Sequence, residues 1–283
     1  MILLLSGTSE GRWLGQRLRA TGLPFVASVT TPEARVLFAA VEPPPEVYVT
    51  RFHDEALATF LGERHIAAIL DATHPFAYRI SEQAMQAAAR AHIPYVRYER
   101  PESALPVDGG QMHVVPDVAA AAEVCLDHGT RIFLTSGTKT LPAFRHVMAR
   151  KWVMARILPT VASLTQALEA GLAPAQILAM RGPFSQALER VLLQDYRIDL
   201  VVTKASGAAG GLDTKLAAAV ECGVPAVVIS RPALPYPNQY HDLEQVVQAV
   251  INLMGAHHGT GAPNTASAAS SSRRRAQSAA PIR

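Results

Sequence analysis

Residues 2–11 read Ile2-Leu3-Leu4-Leu5-Ser6-Gly7-Thr8-Ser9-Glu10-Gly11, four apolar residues running into a small turn rich in hydroxyls and glycine. Helical patterning follows to about Ala20, so the stretch reads as a strand, a tight turn and a helix start. The same order returns at Ile132-Phe133-Leu134 into Thr135-Ser136-Gly137-Thr138-Lys139. It returns again at Leu200-Val201-Val202 into Thr203-Lys204-Ala205-Ser206-Gly207 and on to Gly211. Such turns set backbone N–H groups and hydroxyls at the positive end of a helix, where phosphates and carboxylates bind. The expected ligand is rich in anionic groups.

Outward from these turns, short apolar runs alternate with longer helix-patterned stretches, the signature of βαβ units and a parallel sheet. Strands are expected at 2–5, 25–29, 47–49, 67–70 and 94–98, and a helix at 79–91. Dense turn chemistry follows in Arg100-Pro101-Glu102-Ser103 and Pro106-Val107-Asp108-Gly109-Gly110. The pattern then restarts at His113 and ends with a helix over 242–253. The expected fold class is α/β, with two Rossmann-like domains, mainly parallel sheets and a cleft between them. Residues 1–100 form the first domain, 101–112 a linker and 113–255 the second.

The formal net charge of +3 would suggest a nucleic-acid partner if it covered a folded face. It belongs instead to residues 256–283, which hold Arg273, Arg274, Arg275 and Arg283 and no acid. That Ser/Ala/Arg segment lacks apolar periodicity and reads as a disordered basic tail. Cys125 and Cys222 show no CxxC spacing, which fits core thiols in a reducing compartment. No stretch approaches the ~18 apolar residues of a membrane span. A soluble, cytoplasmic protein is expected.

Candidate site residues cluster at the strand ends. Gly7, Thr8 and Ser9 offer a phosphate turn without the GxGxxG fingerprint, or a plain helix cap. Ser136, Gly137, Thr138 and Lys139 add a cation to the same geometry but lack P-loop spacing. Lys204 follows a core strand, where an unpaired ammonium is expensive, and Ser206 and Gly207 stand behind it. Asp213, further on, reads as a cap of the next helix. In Asp71-Ala72-Thr73-His74-Pro75-Phe76-Ala77, Asp71 and His74 suit a proton relay, or Asp71 serves only to hold the imidazole. Arg79 and Arg181 supply guanidinium forks for carboxylates. No metal is expected, because there is no HxH, HExxH or cysteine cluster.

Taken in order, these stretches resemble the precorrin-6A reductase family of cobalamin biosynthesis, with its cobalt-precorrin-6A counterpart. The matching pieces are residues 5–11, 71–77 and 135–137, Pro94-Tyr95-Val96-Arg97-Tyr98-Glu99-Arg100-Pro101, Arg181-Gly182-Pro183-Phe184, Thr203-Lys204-Ala205-Ser206-Gly207, and the run from Gly223 to Pro232. The resemblance covers residues 1 to about 254. It implies an oxidoreductase that delivers a hydride from NADPH, with NADH as the alternative, to carbon 19 of a tetrapyrrole, while a proton arrives at carbon 18. In that scheme the catalytic group is Lys204, Ser206, His74 and Asp71, with solvent as another source of the proton. Cofactor phosphates fall to Gly7–Ser9 and Ser136–Lys139, and substrate carboxylates to Arg79, Arg181 and the Gly207 turn. Thr30, Thr31 and Arg35 after the second strand lean toward NADPH. Two rivals use the same turns: an α/β transferase with a nucleotide-bound donor, and a noncatalytic dinucleotide-sensing module.

Overall fold

Each of the two sheets is built from strands that are apolar on both faces. In β1 (Ile2–Leu5), Ile2 and Leu4 pack into one core while Leu3 and Leu5 pack into another on the opposite side. Alternating side chains that are all buried require a cover on each face, which is what helices provide in a parallel sheet. The structure, a computed structural model, describes residues 1–103 and 112–259.

The first half runs β1, α1 (Ser9–Ala20), β2 (Phe25–Val29), α2 (Pro32–Arg35), β3 (Val47–Val49), α3 (Asp54–Glu63), β4 (Ala68–Asp71), α4 (Tyr78–Arg90) and β5 (Tyr95–Tyr98). The second runs β6 (Met112–Val115), α5 (Val118–Asp127), β7 (Arg131–Leu134), α6 (Arg145–Met148), β8 (Trp152–Ile157), α7 (Val161–Glu169), β9 (Ile177–Ala179), α8 (Gln186–Asp195), β10 (Leu200–Lys204), α9 (Leu212–Glu221) and β11 (Ala226–Ile229). The chain closes with β12 (Gln239–Tyr240) and α10 (Leu243–Gly259).

The sheets are ordered β12-β5-β4-β1-β2-β3 and β6-β11-β10-β7-β8-β9, and every pairing is parallel. The α/β reading with two parallel sheets therefore stands. The domain bounds change: β12 pairs with β5, and α10 buries Val246, Val247, Val250 and Met254 in the core of the first sheet. The last part of the expected second domain thus returns to the first. Its apolar stripe completes the cover that α1 begins over Ile2 and Leu4. Most of the expected linker, and the tail from 260 onward, lie outside the described residues.

In each sheet the chain moves outward from a central strand and then jumps to its other side. The reversals fall between β1 and β4 and between β7 and β10. Open α/β sheets bind ligands at such switch points, beyond the carboxyl ends of the strands. The turns after β1, β4, β7 and β10 are the four loops that the sequence singles out.

Candidate functional site

Three of these turns share a Ser-Gly step with the glycine in a positive-φ conformation: Gly7 at +150°, Gly137 at +84° and Gly207 at +77°. The first and third also pack the serine hydroxyl against a later glycine. A Cβ on Gly11 would lie 1.8 Å from Ser6 Oγ, and one on Gly210 would lie 2.1 Å from Ser206 Oγ. Tightness of this kind brings strand end and helix start together. It leaves the neighbouring polar groups to decide what each turn does.

At the β7–β10 switch point lies a cavity of about 340 Å³, lined by His74, Ser136, Gly137, Thr138, Lys139, Thr203, Lys204, Ser206, Gly210 and Lys215 among others. Its charged lining groups are three lysines. Among the described residues none of the three has a carboxylate within ion-pair distance. Burial pulls the Lys204 ammonium down to about 8, with the charge of Lys139 adding to the effect. Lys204 Nζ stands 5.1 Å from the centre of the Phe76 ring, so an aromatic face takes the place of a counter-ion. Thr203 also lines the cavity, and its buried Oγ1 has no hydrogen-bond partner among the described residues. Ammonium groups and an unpaired hydroxyl make a donor set for oxyanions.

The β4 loop reaches this cavity through His74 alone. His74 Nδ1 accepts a hydrogen bond from the Phe76 N–H at 3.2 Å. Burial, and then the charges of Arg100, Lys204 and Arg97, push the imidazole down to about 3, so it is neutral at physiological pH. Asp71 does not meet it, and the relay expected from the sequence is absent. As the last residue of β4, Asp71 turns into the first domain, where its carboxylate accepts from Ser81, Tyr95, Thr73 and Arg97. Burial alone would raise that carboxyl, but the Arg97 guanidinium and these hydrogen bonds hold it below its ordinary value.

Asp71 belongs to a buried charge network that continues through Arg97 to Glu99 at 2.7 Å and on to Arg231 at 3.0 Å. Arg231 also donates to Ala205 O at 2.6 Å, Arg100 O at 2.5 Å and Pro101 O at 3.1 Å, clasping the third turn to the end of β5. Gly207 serves this clasp: a Cβ there would lie 2.9 Å from the Arg231 guanidinium. In parallel, Arg100 pairs with Glu10 and reaches Ser206 O at 3.4 Å. Burial alone would raise the Glu10 carboxyl, but Arg100 holds it below its usual range.

Several expected site residues lie elsewhere. Arg79, in the first turn of α4, and Arg181 are exposed and do not line the cavity. From the Arg181 loop it is Phe184 that is engaged, stacking 4.2 Å from Arg156, which is itself paired with Glu189. Gly7, Thr8 and Ser9 are outside the cavity lining. Thr8 Oγ1 caps α1 by accepting from Gly11 N, and it donates to Ala72 O. Thr31 likewise caps α2. Asp213 lies inside α9, whose N-cap is Gly211. Cys125 is buried and Cys222 half-buried. Among the described residues no group of three or more His, Cys, Asp or Glu could hold a metal ion, and no helix is long and apolar enough to cross a membrane.

Sequence reasoning missed Lys215, Arg97, Glu99, Arg100 and Arg231 as parts of the site and its frame. For Lys215 the signal was present, because it interrupts the apolar stripe of Leu212, Leu216 and Ala219 on α9. Buried charges at alternate positions along a strand and just past its end, as at Arg97 and Glu99 in Tyr95-Val96-Arg97-Tyr98-Glu99, likewise require partners.

The family described as Precorrin-6x reductase CbiJ/CobK matches residues 1–251. Cobalt-precorrin-6A reductase of Priestia megaterium is 36% identical over 255 residues, covering 89% of this chain and 98% of the relative. Precorrin-6A reductase of Rhodococcus erythropolis is 39% identical over 237 residues, covering 83% and 90%. A solved structure titled CobK precorrin-6A reductase superposes with a TM-score of 0.72 at 27% identity, covering 89% of this chain and 96% of that one.

Proposed function

The chain belongs to the precorrin-6x reductase family, and we propose that it reduces the macrocycle of precorrin-6A, or of its cobalt form, with NADPH as hydride donor. The observation that carries this reading is the cavity at the β7–β10 switch point, ringed by Lys139, Lys204 and Lys215 with no carboxylate paired to them among the described residues. Its donor set fits phosphate and carboxylate, the anionic groups of a nicotinamide dinucleotide and of a macrocycle with acetate and propionate arms. The unpartnered Thr203 hydroxyl supports the fit, since a buried donor left unpaired is costly until a ligand satisfies it.

When bound, the reduced nicotinamide supplies the hydride. The residues that would hold its phosphates are Ser136, Gly137, Thr138 and Lys139, together with the backbone N–H groups of Gly7, Thr8 and Ser9. Lys204 and Ser206 face the macrocycle, and Lys204 answers one of its carboxylates. Neither His74 nor Asp71 holds an acidic proton near neutral pH, the one being neutral and the other ionised and sealed behind Arg97. That withdraws both as the source of the proton and leaves the Lys204 ammonium as the acidic group beside His74. The Arg231 and Arg100 contacts fix the third turn against the first domain, which holds the reacting groups in register.

The test is anaerobic incubation of the protein with NADPH or NADH and either precorrin-6A or its cobalt form, following macrocycle absorbance and cofactor oxidation. Reduction of at least one macrocycle, faster with NADPH, is the expected result. No oxidation of either cofactor with either substrate overturns the proposal.

A further inference from the structure

Lys215 lines the cavity from α9. It lies in the first turn of α9, within that helix's buried stripe, and is only 9% exposed. Nζ donates to Gly210 O at 3.0 Å, which uses one of its three N–H groups. The charged groups facing it are Arg156 on β8 and Glu189 on α8. Glu189 is already taken, since Arg156 donates to both of its oxygens at 2.9 Å. Burial, and then Arg156, pull the Lys215 ammonium down to about 8. On β10, Thr203 lines the same cavity, and its fully buried Oγ1 has no hydrogen-bond partner among the described residues. Two elements therefore bring under-used donors to the lining of one cavity, where among the described residues Lys215 Nζ bonds only Gly210 O and Thr203 Oγ1 bonds no acceptor.

We propose that Lys215 and the Thr203 hydroxyl form a subsite of this cavity that grips an oxyanion of the bound ligand, a phosphate or a carboxylate. The inference rests on reading the cavity as the ligand site of the reductase. The oxyanion has two sources, the phosphates of the cofactor and the carboxylate arms of the macrocycle, and both offer the same chemistry to an ammonium and a hydroxyl.

The test is calorimetric titration of the full chain and its Lys215→Met and Lys215→Arg variants with two probes, each variant's unfolding being followed alongside. The probes are NADP⁺ and uroporphyrin, a stable macrocycle bearing acetate and propionate arms. Lys215→Met binds one probe at least about tenfold more weakly, and Lys215→Arg recovers most of the loss. Loss confined to NADP⁺ identifies a phosphate, and loss confined to uroporphyrin a carboxylate. Affinities within about twofold of wild type for both probes in folded Lys215→Met overturn the subsite. If Lys215→Met does not fold, Thr203→Val decides: a drop of at least about threefold for one probe supports the subsite, and no change for either overturns it. Wild-type turnover with NADPH and precorrin-6A separates the two failures. A chain that turns over while the variants bind normally loses only the subsite, whereas one that neither binds the probes nor turns over loses the reductase reading as well.

Discussion

The first and third turns obey the same local grammar and end in different chemistry. Each follows a central parallel strand, steps through Ser-Gly and closes a serine hydroxyl onto a later glycine. In the first turn Thr8, Ser9 and Glu10 are spent internally, while Ser6 Oγ is buried with no hydrogen-bond partner among the described residues: Thr8 caps α1 and bonds Ala72 O, Ser9 donates to Glu10, and Glu10 pairs with Arg100. What that turn offers a ligand is backbone. In the third, Lys204 and Lys215 face a cavity with no carboxylate paired to them among the described residues, and Thr203 Oγ1 is unpaired. In the proposed function the first turn braces with its side chains and meets the ligand with backbone, and the third meets it with side chains. The difference comes from partners remote in sequence, acids and arginines on one side and cations alone on the other.

The comparison breaks most visibly at the buried network. Arg97→Met leaves Asp71 and Glu99 without their shared cation, and stability should fall by about 3–5 kcal/mol, read from urea unfolding. A loss below about 1 kcal/mol would mean that the network does not brace the domain. Next, Gly11→Ala and Gly210→Ala each drive a Cβ into a serine hydroxyl, at 1.8 Å and 2.1 Å before relaxation. Each should cost about 1–3 kcal/mol, yet Gly210→Ala should lower turnover per folded molecule more than Gly11→Ala, because it displaces the side chain of Ser206 where Gly11→Ala shifts only a backbone contact. Equal effects on turnover would erase the distinction between the two turns. A pH series sharpens it further. Lys204 titrates near 8 in the folded protein, so kcat/KM should decline as pH rises through about 8, where its ammonium is lost. Lys215, pulled down to about the same value, shares that limb, so Lys204→Met should shrink it and only removal of both ammonium groups should flatten it; a limb unaltered in Lys204→Met would assign it to another group. The smallest effect is at exposed Lys139, where Lys139→Ala should raise KM for the cofactor about two- to fivefold with kcat unchanged.

Much of the fold was legible because strand and helix periodicities are local. Ile2–Leu5, Phe25–Val29 and Val47–Val49 occupy their expected positions. The return of α10 to the first sheet was not legible, since its apolar stripe of Val246, Val247 and Val250 would cover either sheet equally well. At the site, Ser136, Lys139, Lys204, Ser206 and His74 converge as the turns suggested. Asp71 and Arg181 looked equally chemical in the sequence. Their roles depend on where a strand end or loop points, one into Arg97 and the other into solvent, and that is fixed by tertiary packing. Lys215 shows the reverse case, a lysine hidden in a helix stripe whose use emerges only once the cavity has walls.

In the proposed function the third turn receives the ligand's negative charge through side chains. The most direct test is kcat/KM for NADPH-dependent precorrin-6A reduction by Lys204→Met, with unfolding measured on the same sample. Removing a half-buried ammonium that has no carboxylate partner among the described residues should leave the unfolding midpoint undiminished while kcat/KM falls at least about tenfold. An unchanged kcat/KM, or a loss matched by the fraction unfolded, would contradict the account.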